Sequence, residues 1–225
     1  RLLCRALKDN SDIVMCRYCV DRAGPVSSIN MRYRDEYVGF EDIKSGLLYL
    51  YYTDYHTGLY SLWNKLIKKS VYSTDGIRFD TTLKRGEDAW FVFQCLKRCN
   101  RVAYINEPYY YYYQNPSSVM HTVYEDQFEK WVDMRKRLLK ENESLGLKID
   151  FNLFYREFLY KTVIYCKDLF ASHNRQRAEE IMGDTDFKMA ARNRKGLPLH
   201  IRSVLVSGSI HPKLGVLVLR LWERK

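Results

Sequence analysis

The order of apolar and polar positions in the first half of the chain is typical of an α/β fold. Residues 1–9 predict a helix, and the polar turn at 9–12 leads into the β-rich run 13–20. The apolar spacing within 39–69 suits helical or mixed segments. The stretch "YSTDGIRFD" at 72–80 then predicts a turn followed by a short strand.

A further helix and two strands are predicted after the adjacent acids Glu87 and Asp88. The mostly apolar run behind these acids has the spacing of a buried helix. After it we expect a strand at 101–105, a turn at 106–108 and a second strand at 109–114, with tyrosines on both of its faces.

Helical periodicity dominates after about His121. A long helix is predicted to end around Gly146, and Asp150 is the predicted N-cap of a helix over 151–172. Shorter basic helices follow, and no internal repeat is visible. The pattern as a whole predicts an α/β part followed by an α-helical tail.

Composition places the chain among globular proteins. Of its 225 residues, 46% are apolar and 28% are charged, which excludes an intrinsically disordered chain. The net charge is +10, and the stretch from Phe187 to the end contributes +8 of it, with nine Lys or Arg against one acid. A basic tail with apolar stretches predicts an anionic partner, either a membrane surface or a nucleic acid. Nucleic acid is disfavoured, because a stacking groove needs charge and aromatic rings together and the tyrosine run lies elsewhere in the chain.

The basic tail, 187–225, mixes basic and apolar residues at helical spacing. Pro198 and Pro212 suit the first turns of two short helices. Two interpretations stay open: an interfacial amphipathic anchor, or a helix pair packed on the preceding domain with its charges solvated. The apolar stretches of the tail are shorter than the roughly 18–20 residues needed to span a bilayer.

The chain starts at Arg1, inside a predicted helix and without an initiating Met, and no signal peptide is visible. We therefore expect it to be part of a longer, cytoplasmic protein.

The six cysteines allow two interpretations. Cys16 and Cys19 together with Cys95 and Cys99 have spacings that a four-thiolate zinc site could use. Reduced thiols are favoured, because three-residue spacing puts Cys16 and Cys19 on opposite faces of a strand. The other two fall on the apolar side of a helix, where a free thiol behaves as a small hydrophobe.

Glu87 and Asp88 also allow two interpretations. Acids in the first turn of a helix are favoured by the macrodipole, by about 0.3–1 kcal/mol, and spacing alone favours this capping role. In the other interpretation, one carboxylate is a base that takes a proton from a substrate hydroxyl. A helix N-terminus weakens such a base but fixes its position, which matters for catalysis.

Four elements in order resemble a known family. They are Trp63-Asn64-Lys65, the segment "GIRF" at 76–79, the acidic pair and the segment 104–120. This set resembles the C-terminal half of the catalytic domain of bacterial family-two glycosyltransferases, in which the last element is a hairpin. The resemblance covers about residues 1–122. It implies a partial GT-A (Rossmann-like) domain at 1–122 that forms the acceptor-side half, followed by a helical C-terminal extension at 123–225.

The resemblance implies a catalytic role for the acidic pair. Asp88 corresponds to the base that activates the acceptor, and Glu87 helps to place the acceptor. A sugar then moves from a nucleotide-sugar donor to a hydroxyl with inversion, while a divalent metal, Mg or Mn, stabilises the departing diphosphate. His121 stands where related enzymes place a histidine that contacts the metal or the diphosphate; the alternative is an ordinary surface histidine.

The resemblance also implies substrate contacts. Trp63, Asn64 and Lys65 would line the acceptor side or the floor of the site; the alternatives are simple packing for Trp63 and a solvated ammonium for Lys65. Tyr112 and Tyr113 lie in the tyrosine run, where one or two rings could stack on acceptor sugars and the rest pack. Tyr113 replaces the arginine usual in the family, which removes a diphosphate contact.

The nucleotide-binding first half of the family has no counterpart in this sequence. Asp184-Thr185-Asp186 spells Asp-x-Asp, but no strand leads into it, so we predict a turn and a helix cap there. On its own the chain is therefore expected to bind neither a sugar nucleotide nor a metal well. The expected parent is a glycosyltransferase of surface polysaccharide (capsule or exopolysaccharide) synthesis, peripheral at the inner face of the plasma membrane, near a glycan or lipid-linked acceptor. The alternative is a non-catalytic membrane- or protein-binding module derived from such a domain.

Overall fold

The structure, a computed structural model, describes residues 1–21, 27–28, 33–55, 58–83, 86–113 and 125–223. Its contacts divide the chain into two compact units, Arg1–Val123 and Tyr124–Lys225. The assignment of the first unit as an acceptor-side half stays a prediction.

The first unit combines short helices with a mixed sheet. Its helices are α1 (Leu2–Asp9), α2 (Phe40–Ile43), α3 (Tyr49–Thr53), α4 (Lys69–Ser73) and α5 (Glu87–Leu96), with one π-helical turn, Lys44–Leu48, between α2 and α3. Its strands are β1 (Ile13–Asp21), β2 (Ser27–Ser28), β3 (Glu36–Val38), β4 (Lys65–Ile67) and β5 (Arg101–Tyr113).

Strand β1 is the centre of the sheet. It pairs in parallel with β5 on one side, and antiparallel with both β2 and β4 on the other. The far edge of β5 carries β3, which is antiparallel to it. Ile13, Val14 and Met15 of β1 are fully buried, as are Val102 and Ala103 of β5. This near-continuous apolar run is what a strand covered on both faces requires.

The turn predicted at 106–108 is wrong, because strand β5 continues through these residues. The segment 101–113 is one strand, and its register against β1 shifts near Arg17. Between Cys16 and Tyr18, β1 advances two residues while β5 advances five, from Ile105 to Tyr110. The "NEP" segment is therefore a bulge. Pro108 is tolerated there, because a bulge does not need every backbone N–H in the ladder.

The short strand predicted after Gly76 is also wrong. Residues 77–80 have no regular structure, and they pack against α5 instead of joining the sheet. The ring of Phe79 stacks on Phe91 with centroids 4.4 Å apart, and Ile77 is buried. Side-chain packing onto the helix replaces strand pairing in this segment.

The second unit is helical in all of its described regular structure. Its helices are α6 (Gln127–Leu145), α7 (Phe151–Ala171), α8 (Arg175–Gly183), α9 (Thr185–Ala191), α10 (Leu199–Ile210) and α11 (Pro212–Glu223).

The helix ends of the second unit confirm the predictions made from capping residues. Gly146 ends α6 with φ 62°, and the Asp150 side chain accepts a hydrogen bond from the Asn152 N–H at the start of α7. Asp184 accepts from the Phe187 N–H, 2.9 Å away, and caps α9 as predicted. Pro212 opens α11, while Pro198 lies one position ahead of α10.

Among the residues that the structure describes, no helix is both long enough and apolar enough to cross a lipid bilayer.

Candidate active site

The acidic pair lies at the first two positions of α5. Gly86 precedes the pair with φ 82°, in the left-handed backbone region. Residues with a β-carbon rarely adopt this conformation, whereas glycine adopts it readily. One carboxylate oxygen of Asp88 accepts a hydrogen bond from the Ala89 N–H at 2.7 Å. The amide nitrogens at the start of a helix have no partner within it, so this bond fixes the Asp88 carboxylate at the helix end.

Helix α3 braces the same turn from the side. The Tyr51 hydroxyl donates to the main-chain oxygen of Ala89 at 2.8 Å, and its ring lies against Phe93. The Tyr60 hydroxyl in turn donates to the main-chain oxygen of Tyr51. The sequence carried no signal for this brace, because it joins segments nearly forty residues apart.

Lys65 is half-buried, and its ammonium is bonded to protein oxygen atoms, in contrast to the solvated ammonium considered as the alternative from sequence. Its ammonium donates to the Asn64 side-chain oxygen at 2.8 Å, to the Gly58 carbonyl at 3.1 Å and to the Ser61 carbonyl. Burial lowers the pKa of Lys65 to about 7, while the nearby negative charge of Asp88 acts in the opposite direction. Lys65 and Asp88 are therefore electrostatic neighbours.

Asn64 joins this lysine to the central strand. It is only 1% exposed, and its side-chain N–H donates to the Cys16 carbonyl at 3.1 Å. The Cys16 N–H donates back to the Asn64 carbonyl at 3.0 Å. Asn64 thus acts as a buried clamp between β1 and Lys65, with no indication that it faces a substrate.

The Trp63 ring forms a wall with tyrosines of two strands. It stacks on Tyr110 and Tyr112 of β5, with centroids 4.6 and 5.0 Å apart, and meets the edge of Tyr18 of β1 at 4.6 Å. Tyr18 and Tyr110 were missed from sequence. Because residues i and i+2 of a strand share a face, Tyr110 could have been predicted on the same side as Tyr112. No feature of the sequence near Tyr18 indicated its contact with Trp63.

Of the remaining predicted residues, the structure places Tyr113 away from this cluster and does not describe His121. Tyr113 lies next to Tyr112 on the opposite face of β5 and is 66% exposed, so the structure does not bring it to Trp63. His121 lies outside the described residues. Within the described part of the chain, no group of three or more His, Cys, Asp or Glu is arranged to hold a metal ion.

Three cysteines of the first unit are packing groups. Cys16, Cys95 and Cys99 are buried as free thiols, and burial raises the pKa of Cys95 to about 11. Such thiols stay protonated near neutral pH and are poor metal ligands.

Replacing Lys65 with methionine is expected to change how stability depends on pH. The folded state releases the Lys65 proton near pH 7, whereas the unfolded chain holds it up to about 10.5. Above pH 7 the unfolded state therefore binds more protons, so the wild-type free energy of unfolding rises with pH relative to Lys65→Met. The difference grows by at most about 1.4 kcal/mol per pH unit.

Urea unfolding at several pH values between 7 and 9 measures this slope. Lys68→Met is the matched control, because Lys68 is exposed and donates to the Asn10 side chain at 3.2 Å. It should leave the wild-type slope unchanged. If the free energies of unfolding of wild type and Lys65→Met changed with pH in parallel, the lowered pKa of Lys65 would be contradicted.

Comparison with known proteins gives a result at the level of structure only. No known family and no curated protein matches the sequence. S. aureus TarS 1-349 in complex with UDP-GlcNAc is structurally similar, with a TM-score of 0.57 and 16% identity over 99% of this chain and 62% of the TarS chain. TarS 1-349 in complex with UDP gives a TM-score of 0.56 at 14% identity, covering 99% of this chain and 61% of the other.

The chain therefore has a glycosyltransferase-like α/β fold followed by a helical tail, which confirms the predicted fold class. At this identity the similarity establishes the fold, not the activity. The chain spans less than two thirds of the TarS structures that it matches.

Proposed function

We propose that the chain is the acceptor-side part of an inverting glycosyltransferase that uses a nucleotide-sugar donor. The observation that carries this proposal is the Asp88 carboxylate, which the hydrogen bond from the Ala89 N–H fixes at the N-terminus of α5. A carboxylate with a defined position suits a base that acts by placement. The glycosyltransferase-like fold supports the same class of reaction.

In the proposed reaction, Asp88 removes the proton of an acceptor hydroxyl as that oxygen attacks the anomeric carbon of the donor sugar. The new C–O bond forms as the bond to the diphosphate oxygen breaks, and the leaving nucleoside diphosphate keeps the electron pair. A single displacement of this kind inverts the anomeric configuration. Glu87, the first residue of α5, would help to orient the acceptor.

The ring wall and its support complete the acceptor side. Trp63 and Tyr112 are only half-buried, and the part of these rings that their mutual stacking leaves uncovered suits the C–H surface of a pyranose. Asn64 and Lys65 anchor the segment next to Trp63 to β1. We assign the stacking role to these two rings and propose Tyr113 only as a contact at the outer edge.

We further propose that the acceptor is a surface glycan or its lipid-linked precursor, and that the enzyme works in the cytoplasm at the inner face of the plasma membrane. The basic tail supports this location. The divalent metal and the role of His121 stay expectations for the complete protein, because the described residues offer no metal site. The chain by itself is expected to be inactive.

Release of nucleoside diphosphate tests the proposal. The complete protein encoded by the gene and the 225-residue chain would each be incubated with UDP-GlcNAc, then with other nucleotide sugars, in the presence of glycan acceptors. We expect release and sugar transfer by the complete protein and neither by the chain alone. A folded complete protein that transfers no sugar from any of these donors would instead favour a non-catalytic module.

A further inference from the structure

Helix α11 has two different apolar faces. Val216 and Leu219 are fully buried inside the second unit. Leu214, Leu217 and Leu221 recur at three- and four-residue steps on another side of the helix, and all three are exposed, Leu221 by 60%. Leucines at this spacing form one continuous stripe along a helix.

Helix α10 repeats the arrangement. Leu199 is 78% exposed and Ile210 is 73% exposed, and Val206 lies exposed between them at the spacing of a single helix face. The two helices together present six large exposed apolar side chains, which we call the α10–α11 surface: Leu199, Val206, Ile210, Leu214, Leu217 and Leu221. Large exposed apolar side chains gathered on two helices in contact are typical of a site of interaction.

Apart from Glu223, the last residue of α11, the charges on these helices have a single sign. Residues 199–221 contain no acid, and their Arg202, Lys213 and Arg220 are all exposed. Lys213 and Arg220 each stand one position before a leucine of the stripe, so positive charge runs along its margin. Long basic side chains at such a margin can reach away from apolar surface toward anionic groups.

This charge pattern favours an anionic lipid surface over a second copy of the chain as the partner. In a symmetric dimer formed through the α10–α11 surface, each residue would meet the same patch of a second copy, so basic side chains would face basic side chains. An anionic bilayer surface has the complementary character, because leucines enter the acyl boundary while Lys and Arg contact the lipid phosphates.

We propose that the α10–α11 surface is the membrane-docking face of the protein and that it recognises anionic lipid. The inference refines the membrane contact proposed above, but it does not depend on the chemistry at Asp88. It assigns the contact to particular residues within the basic tail, chiefly the stripe of α11 and its margin.

Flotation with vesicles tests this assignment. The complete 225-residue chain would be mixed with phosphatidylcholine vesicles that contain a quarter phosphatidylglycerol, and with pure phosphatidylcholine vesicles. We expect flotation with the anionic vesicles and little with the neutral ones. Replacing Leu214, Leu217 and Leu221 together with serine should abolish flotation, and the exposure of these side chains predicts an unchanged circular dichroism spectrum.

Variants that lack basic side chains measure how much positive charge contributes to vesicle binding. Changing Arg202, Lys213 and Arg220 to glutamine should weaken binding to anionic vesicles roughly a hundredfold, since one basic residue near such a surface contributes about fivefold. The matched control changes Lys140, Lys148 and Arg192, three exposed basic residues elsewhere in the second unit, and should bind within about threefold of wild type.

Three outcomes would overturn the proposal. The first is equal weakening by the two charge variants, and the second is flotation that survives the serine substitutions. The third is failure to float combined with a dimeric mass in light scattering, which would assign the surface to a second copy. Asp88→Asn should float as wild type does, so a failure of the catalytic proposal would leave this result unaffected.

Discussion

Replacing Asp88 with asparagine in the complete protein is expected to lower the rate of sugar transfer by about 10²- to 10⁴-fold, the range that general base catalysis supplies. The amide has nearly the same size, and its oxygen can still accept from the Ala89 N–H as the carboxylate does. The fold and donor binding should therefore survive, but no base remains at this position to accept the proton of the acceptor hydroxyl. The loss should appear in kcat, because the missing interaction forms only as the hydroxyl reacts.

Glu87→Gln is the matched control for this prediction. Glu87 is the adjacent residue on the same helix turn, and its replacement removes the same charge from the α5 N-terminus. If Glu87 only orients the acceptor, its variant should raise KM more than it lowers kcat. Transfer rates from a saturating nucleotide sugar, with melting curves to verify folding, make the comparison. A kcat of Asp88→Asn close to that of wild type would show that Asp88 is not the catalytic base.

Replacing Gly215 with alanine is expected to destabilise the second unit by about 1–3 kcal/mol, the usual cost of overpacking. A β-carbon at this position would lie 2.4 Å from the Met182 sulfur and 2.8 Å from the Gly208 α-carbon. The methionine can move aside. The α-carbon belongs to the backbone of α10, so α10 and α11 would have to separate, and the buried contacts of Val216 and Leu219 would loosen.

Gly208→Ala provides the matched control, since it adds the same methyl group on the facing helix. Its nearest neighbour would be the Met182 sulfur at 3.5 Å, an ordinary van der Waals contact. Alanine also favours a helix interior by about 1 kcal/mol over glycine. Gly208→Ala should therefore be neutral or stabilising, whereas Gly215→Ala destabilises. Urea unfolding followed by helical circular dichroism would compare the two, and equal midpoints would contradict the close crossing of α10 and α11.

At the candidate site, the sequence predicted the local position of the acidic pair but not the contacts around it. The acids were correctly expected at the start of a helix, and four motifs in order suggested their neighbours. The hydrogen bonds of the Lys65 ammonium were not foreseen, because a lysine in sequence gives no sign of the three oxygen atoms that enclose it. The roles of Asn64 as a clamp and of Tyr51 as a brace likewise depend on contacts between distant segments.

The sequence by itself determined the features whose causes are local. Capping residues and apolar periodicity placed the end of α6, both ends of α7 and the start of α9, because a cap bonds within its own helix turn and the helix repeat is set by neighbours three and four positions away. The same local patterns were enough to predict an α/β part followed by a helical tail.

Only the tertiary structure decided the features that need a partner far along the chain. Pro108 and its neighbours spell a local turn, yet pairing with β1 continues past them and makes 101–113 one bulged strand. The same pairing carries Tyr110 and Tyr112 to Trp63, with Tyr18 at its edge. In the tail, helical spacing predicted two amphipathic helices, but their packing on each other and on α7 and α8 determined which leucines are buried and which are exposed. The free energy of burial depends on what covers a side chain, and sequence spacing does not contain that information.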